Sequence, residues 1–386
     1  MRLRPEQQIR GDLSETIVSQ RKSKIFTENL MKRFNRFGMC AAVAAFAAAS
    51  IIGCGSKSDQ TTTGSSAPSS PSATSSDQGL TGAGSTFVNP VMTQWTADYL
   101  KSTGTAVNYQ SIGSGGGITG LIGHTVDFAG SDAPMNAQEM AAAKTPVIHL
   151  PVVIGTECIA YNVPGVPAGI HLTGPLLAQI YLGKITHWDD PQLVALNPTV
   201  KFPHATIFVA HRSDGSGTTF IFTDYLSKIS PDWKTTVGNG KSVKWPIGLG
   251  GKGNEGVSGL LQTHSNSIGY VELAYAVQNK MTYAVIQNAK GKFVSPSSQS
   301  GSIAADGVTI PADMRVSITN TPNPLGYPIT GFSWLIVYQT SPKSAELKKF
   351  LTYVVTTGQD ATTPLSYAPV PKPIQKRELK LINTLQ

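Results

Sequence analysis

Three times along this chain a short apolar run gives way to a Gly/Ser/Thr turn, and each turn opens into a helical pattern. The turns are Gly82-Ala83-Gly84-Ser85-Thr86-Phe87, Gly113-Ser114-Gly115-Gly116-Gly117 and Arg212-Ser213-Asp214-Gly215-Ser216-Gly217-Thr218. A strand that leads through glycine into a helix is the repeating unit of α/β folds. The remaining pattern agrees. Val107–Tyr109, Val126–Ala129, Val152–Ile154, Cys158–Tyr161, Ile207–Ala210 and Trp334–Tyr338 read as strands. Val91, Trp95 and Tyr99 recur at helical spacing, and Phe220, Phe222, Thr223 and Leu226 give a second partly apolar face. Ala345–Thr356 forms a last amphipathic helix, stopped by Gly358. The alternation predicts an α/β chain with mostly parallel sheets flanked by helices.

The turns also have a chemistry. The first N–H groups of a helix lack intrahelical partners, and the helix dipole favours negative charge beside them. Glycine lets the backbone approach a ligand, and Ser or Thr hydroxyls add donors. The same residues are ordinary caps, so a single turn is ambiguous. Three such turns in a chain with only 14% charged residues make an oxyanion binder a reading to test.

The net charge of +8 first points to a polyanionic partner. Its distribution removes that reading. Residues 1–53 hold nine Lys/Arg and four Asp/Glu, whereas the rest holds 22 against 19, with no Lys/Arg run longer than two. A nucleic-acid interface is not expected. The basic stretch Met31-Lys32-Arg33-Phe34-Asn35-Arg36 precedes an Ala-rich apolar segment, Met39 to Ile52, that is too short for a spanning helix. It ends in Ile51-Ile52-Gly53-Cys54, which resembles a bacterial lipoprotein box. Residues 1–53 are therefore expected to be a signal peptide, with residues 1–30 an over-extended start ahead of Met31. Cys54 is expected to carry the lipid, and residues 54–78, rich in Ser, Thr and Gly, to form a flexible tether. With Cys40 removed and Cys54 blocked, Cys158 has no disulfide partner.

Several familiar motifs fail. Gly115-Gly116-Gly117-Ile118-Thr119-Gly120 matches GxGxxG, but of the acidic residues that could serve a dinucleotide site about twenty positions on, Asp127 and Asp132 come too early and Glu139 lies inside a helical stretch rather than after a second strand. Lys252 in Gly250-Gly251-Lys252-Gly253 lacks the Ser/Thr of a P-loop. Ser216 lies between glycines, but no GxSxG elbow or His-Asp arrangement accompanies it. The histidines are scattered, and His211 reads as a strand-end residue. No catalytic residue, metal ligand or cofactor is expected.

The ordered set of blocks is more specific. Thr81–Phe87, Asn108–Gly117, Val126–Pro134, Tyr181–Asp190, Arg212–Phe220, Val243–Asn254 and Ser267–Tyr275 together resemble the phosphate-binding proteins of bacterial ABC phosphate importers. The resemblance runs from about Leu80 to Gly358. It implies a two-lobed periplasmic-binding-protein-like fold of type II, with two hinge crossovers near Val152–Ile154 and Ile329–Gly331. One lobe would comprise residues 79–152 plus 330–386, the other residues 153–329. Carried over residue by residue, it implies phosphate contacts from Thr86, Phe87, Ser114 and Asp132 in the first lobe. The second would supply Arg212, Ser216, Gly217 and Thr218. Thr86 and Ser114 would give hydroxyls, Phe87 and Gly217 backbone N–H groups, and Ser216 and Thr218 both kinds. Gly115 stands where a second Ser is common, and Val88-Asn89 replaces the usual Pro-Ala. The implied partners are inorganic phosphate, the importer's permease subunits and, through them, its ATPase. The membrane is met only through a lipid anchor, at the periplasmic or extracytoplasmic face of the envelope, and the protein is expected to be a monomer.

Arg212 is the only formal cation of the three turns, and its planar fork suits two anion oxygens. Asp214 is expected to hold that fork as a supporting residue, and to cap the next helix. Asp132 can be a turn cap or can accept a hydrogen bond from a protonated anion. The second ionisation of a phosphate group lies at about 6 for phosphoesters, so a protonated oxygen persists near neutral pH, which sulfate lacks. Competing readings are a receptor for sulfate or arsenate, a phosphate sensor or adhesin on the same fold, and a hydrolase with Ser216 as nucleophile.

Overall fold

The computed structural model describes residues 79–386. The predicted signal peptide, Cys54 and the tether lie outside the described residues. Twelve strands follow in chain order: β1 Leu80–Gly84, β2 Val107–Ser111, β3 Phe128–Ser131, β4 Val147–Asn162, β5 His171–Leu172 and β6 Phe208–Arg212. Then come β7 Leu249–Gly251, β8 Ser267–Glu272, β9 Thr282–Tyr283, β10 Val285–Gln287, β11 Phe293–Val294 and β12 Thr330–Tyr338. The main sheet runs β2-β1-β3-β12-β4-β8-β6-β7, with β9 added to β4, and β11-β10-β5 form a small separate sheet.

Its two ends are parallel. β1 pairs in parallel with β2 and β3, and β6 with β7 and β8. The middle is antiparallel, because β12 lies between β3 and β4 and opposes both, and β4 opposes β8. The expectation of parallel units flanked by helices thus describes each end, and two long connecting strands join them.

β4 differs most from the sequence expectation. Val152–Ile154 and Cys158–Tyr161, read as two strands, belong to one strand of 16 residues. Gly155 does not break it. Phe87 occupies the space a Cβ would need there, so the glycine admits an aromatic ring rather than a turn. β4 pairs with β12 up to Thr156 and with β8 from Glu157. One buried strand therefore passes from one parallel end of the sheet to the other.

The helices follow their apolar stripes. Helix Asn89–Thr103 buries Val91, Met92, Trp95 and Tyr99 and ends where Gly104 adopts φ 75°. Trp95 also donates its indole N–H to the Gly358 carbonyl, 2.6 Å away. Helix Ser344–Val355 buries Leu347, Phe350, Leu351, Val354 and Val355. Gly358, expected as its stop, lies in a following 3₁₀ turn, Thr357–Ala361.

Three buried carboxyls stand out in this core. Glu157 and Glu272 face each other across β4 and β8 where β4 changes partner. Glu378, on helix Lys372–Asn383, is fully buried, and neither carboxyl oxygen has a partner among the described residues. Burial pushes the Glu378 carboxyl well above the usual carboxylate range. The folded protein therefore holds a proton there that the unfolded chain releases, and this group's contribution declines as pH rises above about 4.5 toward the raised native value. Replacing Glu378 with Met should raise the melting temperature at pH 8 and raise it less at pH 5. Thermal melts at both values check this, and an equal shift at both would contradict it.

Candidate anion-binding site

The glycine turns meet because each leaves the carboxyl end of its strand, and the two parallel sets, which run in opposite senses on either side of the antiparallel middle, point those ends toward one another. β1 leads through Ser85-Thr86-Phe87 into helix Asn89–Thr103, and β2 through Gly113 into helix Ser114–Ile122. β6 leads through Asp214 and Ser216 into helix Gly217–Ile229. β7 adds a fourth turn, Lys252-Gly253, before helix Gly253–Thr263. The carboxyl ends of parallel strands are where open α/β sheets place ligands, because the following helices aim their N-termini there.

Asp132 follows β3 and is 1% exposed. Three hydroxyls surround its carboxylate. Ser85 donates across both oxygens at 2.7 and 2.5 Å, Ser114 approaches Oδ2 at 3.4 Å, and Ser333 of β12 donates to Oδ1. Burial raises the Asp132 carboxyl to about 6. The Ser333 and Ser85 hydroxyls, the Arg212 charge and Ser114 restrain the rise. Gly217 approaches so closely that a Cβ there would collide with Asp132. Only glycine lets the start of this helix reach the carboxylate.

Arg212 ends β6. Its backbone N–H donates to the Tyr270 hydroxyl at 3.1 Å, and Tyr270 is in turn bonded to Thr219 at 2.7 Å. Its fork meets Asp214 twice, Nε to Oδ1 at 2.8 Å and NH2 to Oδ2 at 2.5 Å, while NH1 donates to Thr218 Oγ1 at 3.0 Å. A guanidinium carries five N–H groups. Among the described residues these bonds engage three, leaving donors on the two terminal nitrogens. Burial raises the Asp214 carboxyl, but the hydrogen bonds and charge of Arg212 and the Gly253 N–H outweigh it, and the net shift is downward. Asp214 does not cap the helix as expected. Ser216 does, accepting the Thr219 N–H at 3.0 Å, because it stands immediately before Gly217.

Short contacts join seven of the eight residues named from sequence to others of the set, directly or through Ser85 and Asn254. Gly217 N–H donates to Ser114 Oγ at 3.1 Å, and Phe87 N–H to Ser85 Oγ at 3.0 Å. Thr86 Oγ1 accepts from the backbone and side chain of Asn254 at 3.1 and 2.8 Å. Asn254 also reaches Thr218 Oγ1 at 3.2 Å. The Ser216 N–H, expected to face an anion, donates to the Lys241 carbonyl at 2.8 Å. That leaves Ser216 its hydroxyl proton.

Three participants escaped sequence reasoning. Ser85 lies inside a recognised turn. Its role shows only once β3 brings Asp132 beside it. Asn254 follows a strand–glycine–helix turn of the same layout as the other three, so its signal was present. Ser333 arrives on β12 from 201 positions away, and nothing local marks it.

Residues 64–357 match a family model described as a PBP superfamily domain. The chain is 47% identical over 298 residues to the phosphate-binding protein PstS of Haemophilus influenzae, covering 76% of this chain and 89% of that protein. It is 42% identical to PstS of Xylella fastidiosa, covering 89% and 95%. PstS of Methanocaldococcus jannaschii is 33% identical, covering 78% and 85%. A solved high-affinity periplasmic phosphate-binding protein, bound with phosphate, superposes with a TM-score of 0.64 at 22% identity, covering 77% and 92%. A phosphate-bound substrate-binding protein described as a putative phosphate ABC transporter component, from Clostridium perfringens, gives 0.57 at 18%, covering 76% and 100%. These last two share the fold.

The Asp132 carboxyl is held above its ordinary value, so its contribution to the stability of the free protein is present below about 4 and is lost as pH rises through about 6. Removing the Ser333 hydroxyl takes away a bond to the charged form. Ser333→Ala should therefore move the Asp132 titration upward. Infrared difference spectra with ¹³C-labelled aspartate measure this, with Asp132→Asn identifying the band. A band that stays in place or moves down would refute the assignment.

Proposed function

The chain belongs to the PstS family of phosphate-binding proteins, and from that premise we propose that it takes up inorganic phosphate in the shell around Asp132 and Arg212 and delivers it to a membrane ABC importer. The observation that carries the reading is a buried carboxylate enclosed by donors. Beside an anion it is repulsive unless the anion brings a proton. With its value at about 6, Asp132 is ionised at neutral pH and accepts the remaining proton of hydrogen phosphate. Sulfate has no such proton and leaves the carboxylate both unpaired and repelled. A site built for one hydrogen bond can reject an analogue lacking it by roughly 10⁴–10⁵.

The other oxygens meet donors. Thr86, Ser114, Ser216 and Thr218 supply hydroxyls, and Phe87 and Gly217 supply N–H groups. Arg212 supplies the one full positive charge, aligned by Asp214. Most of the anion's charge is therefore balanced by helix N-termini and neutral dipoles. Binding exchanges several of the contacts that these groups make with one another for contacts to phosphate.

In this reading residues 79–152 with 330–386 form one lobe and residues 153–329 the other. β4 and β12 carry the chain between them, and closure is a hinge motion about that pair. The partner change of β4 at Thr156/Glu157 supports a crossing just beyond Ile154. The protein acts as a monomeric receptor at the extracytoplasmic face of the envelope, tethered by residues 54–78 to a lipid on Cys54 once residues 1–53 are cleaved. The permease and its ATPase receive the cargo. Ser216 supports a receptor rather than a hydrolase. Its oxygen caps a helix, and among the described residues no histidine is hydrogen-bonded to it.

Calorimetry of the purified protein should show phosphate binding and no comparable sulfate binding. Equal affinity for the two anions would remove the role of Asp132. Arg212→Ala should lower phosphate affinity by about 2–5 kcal/mol with the melting temperature largely retained. Unchanged binding would place the site elsewhere. Cys54→Ser should move the protein from the membrane to the soluble fraction on cell fractionation, and continued membrane association would refute the anchor.

A further inference from the structure

Asn254 lies in the first turn of helix Gly253–Thr263 and is fully buried. Its side-chain oxygen accepts the backbone N–H of Glu272 at 2.9 Å. A backbone N–H can only donate, so this bond fixes which way the amide faces. The amide nitrogen must then point to the other side, where it meets Thr86 Oγ1 at 2.8 Å and Thr218 Oγ1 at 3.2 Å. The backbone N–H of Asn254 adds a second bond to Thr86 Oγ1, at 3.1 Å. Thr218 Oγ1 receives its second bond from Arg212 NH1 at 3.0 Å.

A hydroxyl has two acceptor lone pairs and one proton. Both lone pairs of Thr86 and both of Thr218 are occupied by N–H groups. Each threonine retains a single hydrogen-bonding capacity, the O–H donor. Left free, a hydroxyl can turn either its proton or its lone pairs toward a ligand. An ionised oxygen needs the proton. We propose that Asn254 is a positioning residue that sets Thr86 and Thr218 as donors before the anion arrives, and so contributes affinity without touching the ligand. The proposal rests on the phosphate reading above and extends it to a residue outside the contact shell. Because Thr86 and Asn254 stand 168 positions apart, the arrangement exists only when the β1 and β7 turns are together.

A double-mutant cycle on phosphate affinity separates this role from simple packing. Calorimetry is run on the wild type, Asn254→Ala, Thr86→Val/Thr218→Val and the triple variant, with the melting temperature of each recorded. Asn254→Ala should weaken phosphate binding about tenfold in the wild-type background. In the double-valine background, with no hydroxyls left to orient, it should change affinity by less than about twofold. An equal loss in both backgrounds would overturn the proposal. If the double-valine protein does not fold, the single backgrounds Thr86→Val and Thr218→Val apply the same test. The loss caused by Asn254→Ala must then shrink in each, and an undiminished loss overturns the proposal. Failure of the wild type to bind phosphate would instead overturn the function on which it rests.

Discussion

The antiparallel pairing of β4 with β12, from Thr330↔Thr156 to Tyr338↔Val147, is the constraint on which everything else depends. Among the described residues the two parallel ends of the sheet share no other strand. β4 continues past this pairing to meet β8, so each end is held to the other through these two strands. Their residues are almost all buried, which makes the junction part of the core rather than a linker. β12 also pairs with β3 at Trp334↔Ser131, and that register brings Ser333 to Asp132.

The site manages charge by pairing and by geometry. Its one cation, Arg212, is clamped by Asp214, and its carboxylate, Asp132, is solvated by serine hydroxyls instead of water. A protein that neutralised a dianion with several lysines would bind any anion of similar size. Neutral donors at fixed positions select shape and protonation instead, because each is useful only to an acceptor in its place. Glycine at 217 is part of that fixing, since any side chain there would displace Asp132. The low charged fraction of the chain and the pairing of its central cation are consistent with one another.

Much of this was legible without coordinates. The three glycine turns and their order are visible because helix starts and hydroxyl donors leave local signatures, whereas the set Thr86, Phe87, Ser114, Asp132, Arg212, Ser216, Gly217 and Thr218 is what the family resemblance implies. The apolar stripes of helices Asn89–Thr103 and Ser344–Val355 were equally plain. The length of β4 was not, because Gly155 looks like an interruption until Phe87 is seen to need its space. The cap of helix Gly217–Ile229 was assigned to Asp214 for a similar reason. Ser and Asp are near-equal caps by type, and only the salt bridge to Arg212 shows which one is occupied elsewhere.

By itself, then, the sequence determined the alternating α/β elements, the helix starts that can hold an anion and the single cation among them. These depend on periodicity and on chemistry within a few residues, which a linear chain displays. Only the tertiary structure decided that Ser85 and Ser333 solvate Asp132, that Asn254 orients two threonines, and that one strand serves both ends of the sheet. Those outcomes depend on hydrogen bonds between residues tens to hundreds of positions apart. Ser85 and Ser333 meet Asp132 through the registers of β1 and β12 on β3, and no local pattern encodes those registers.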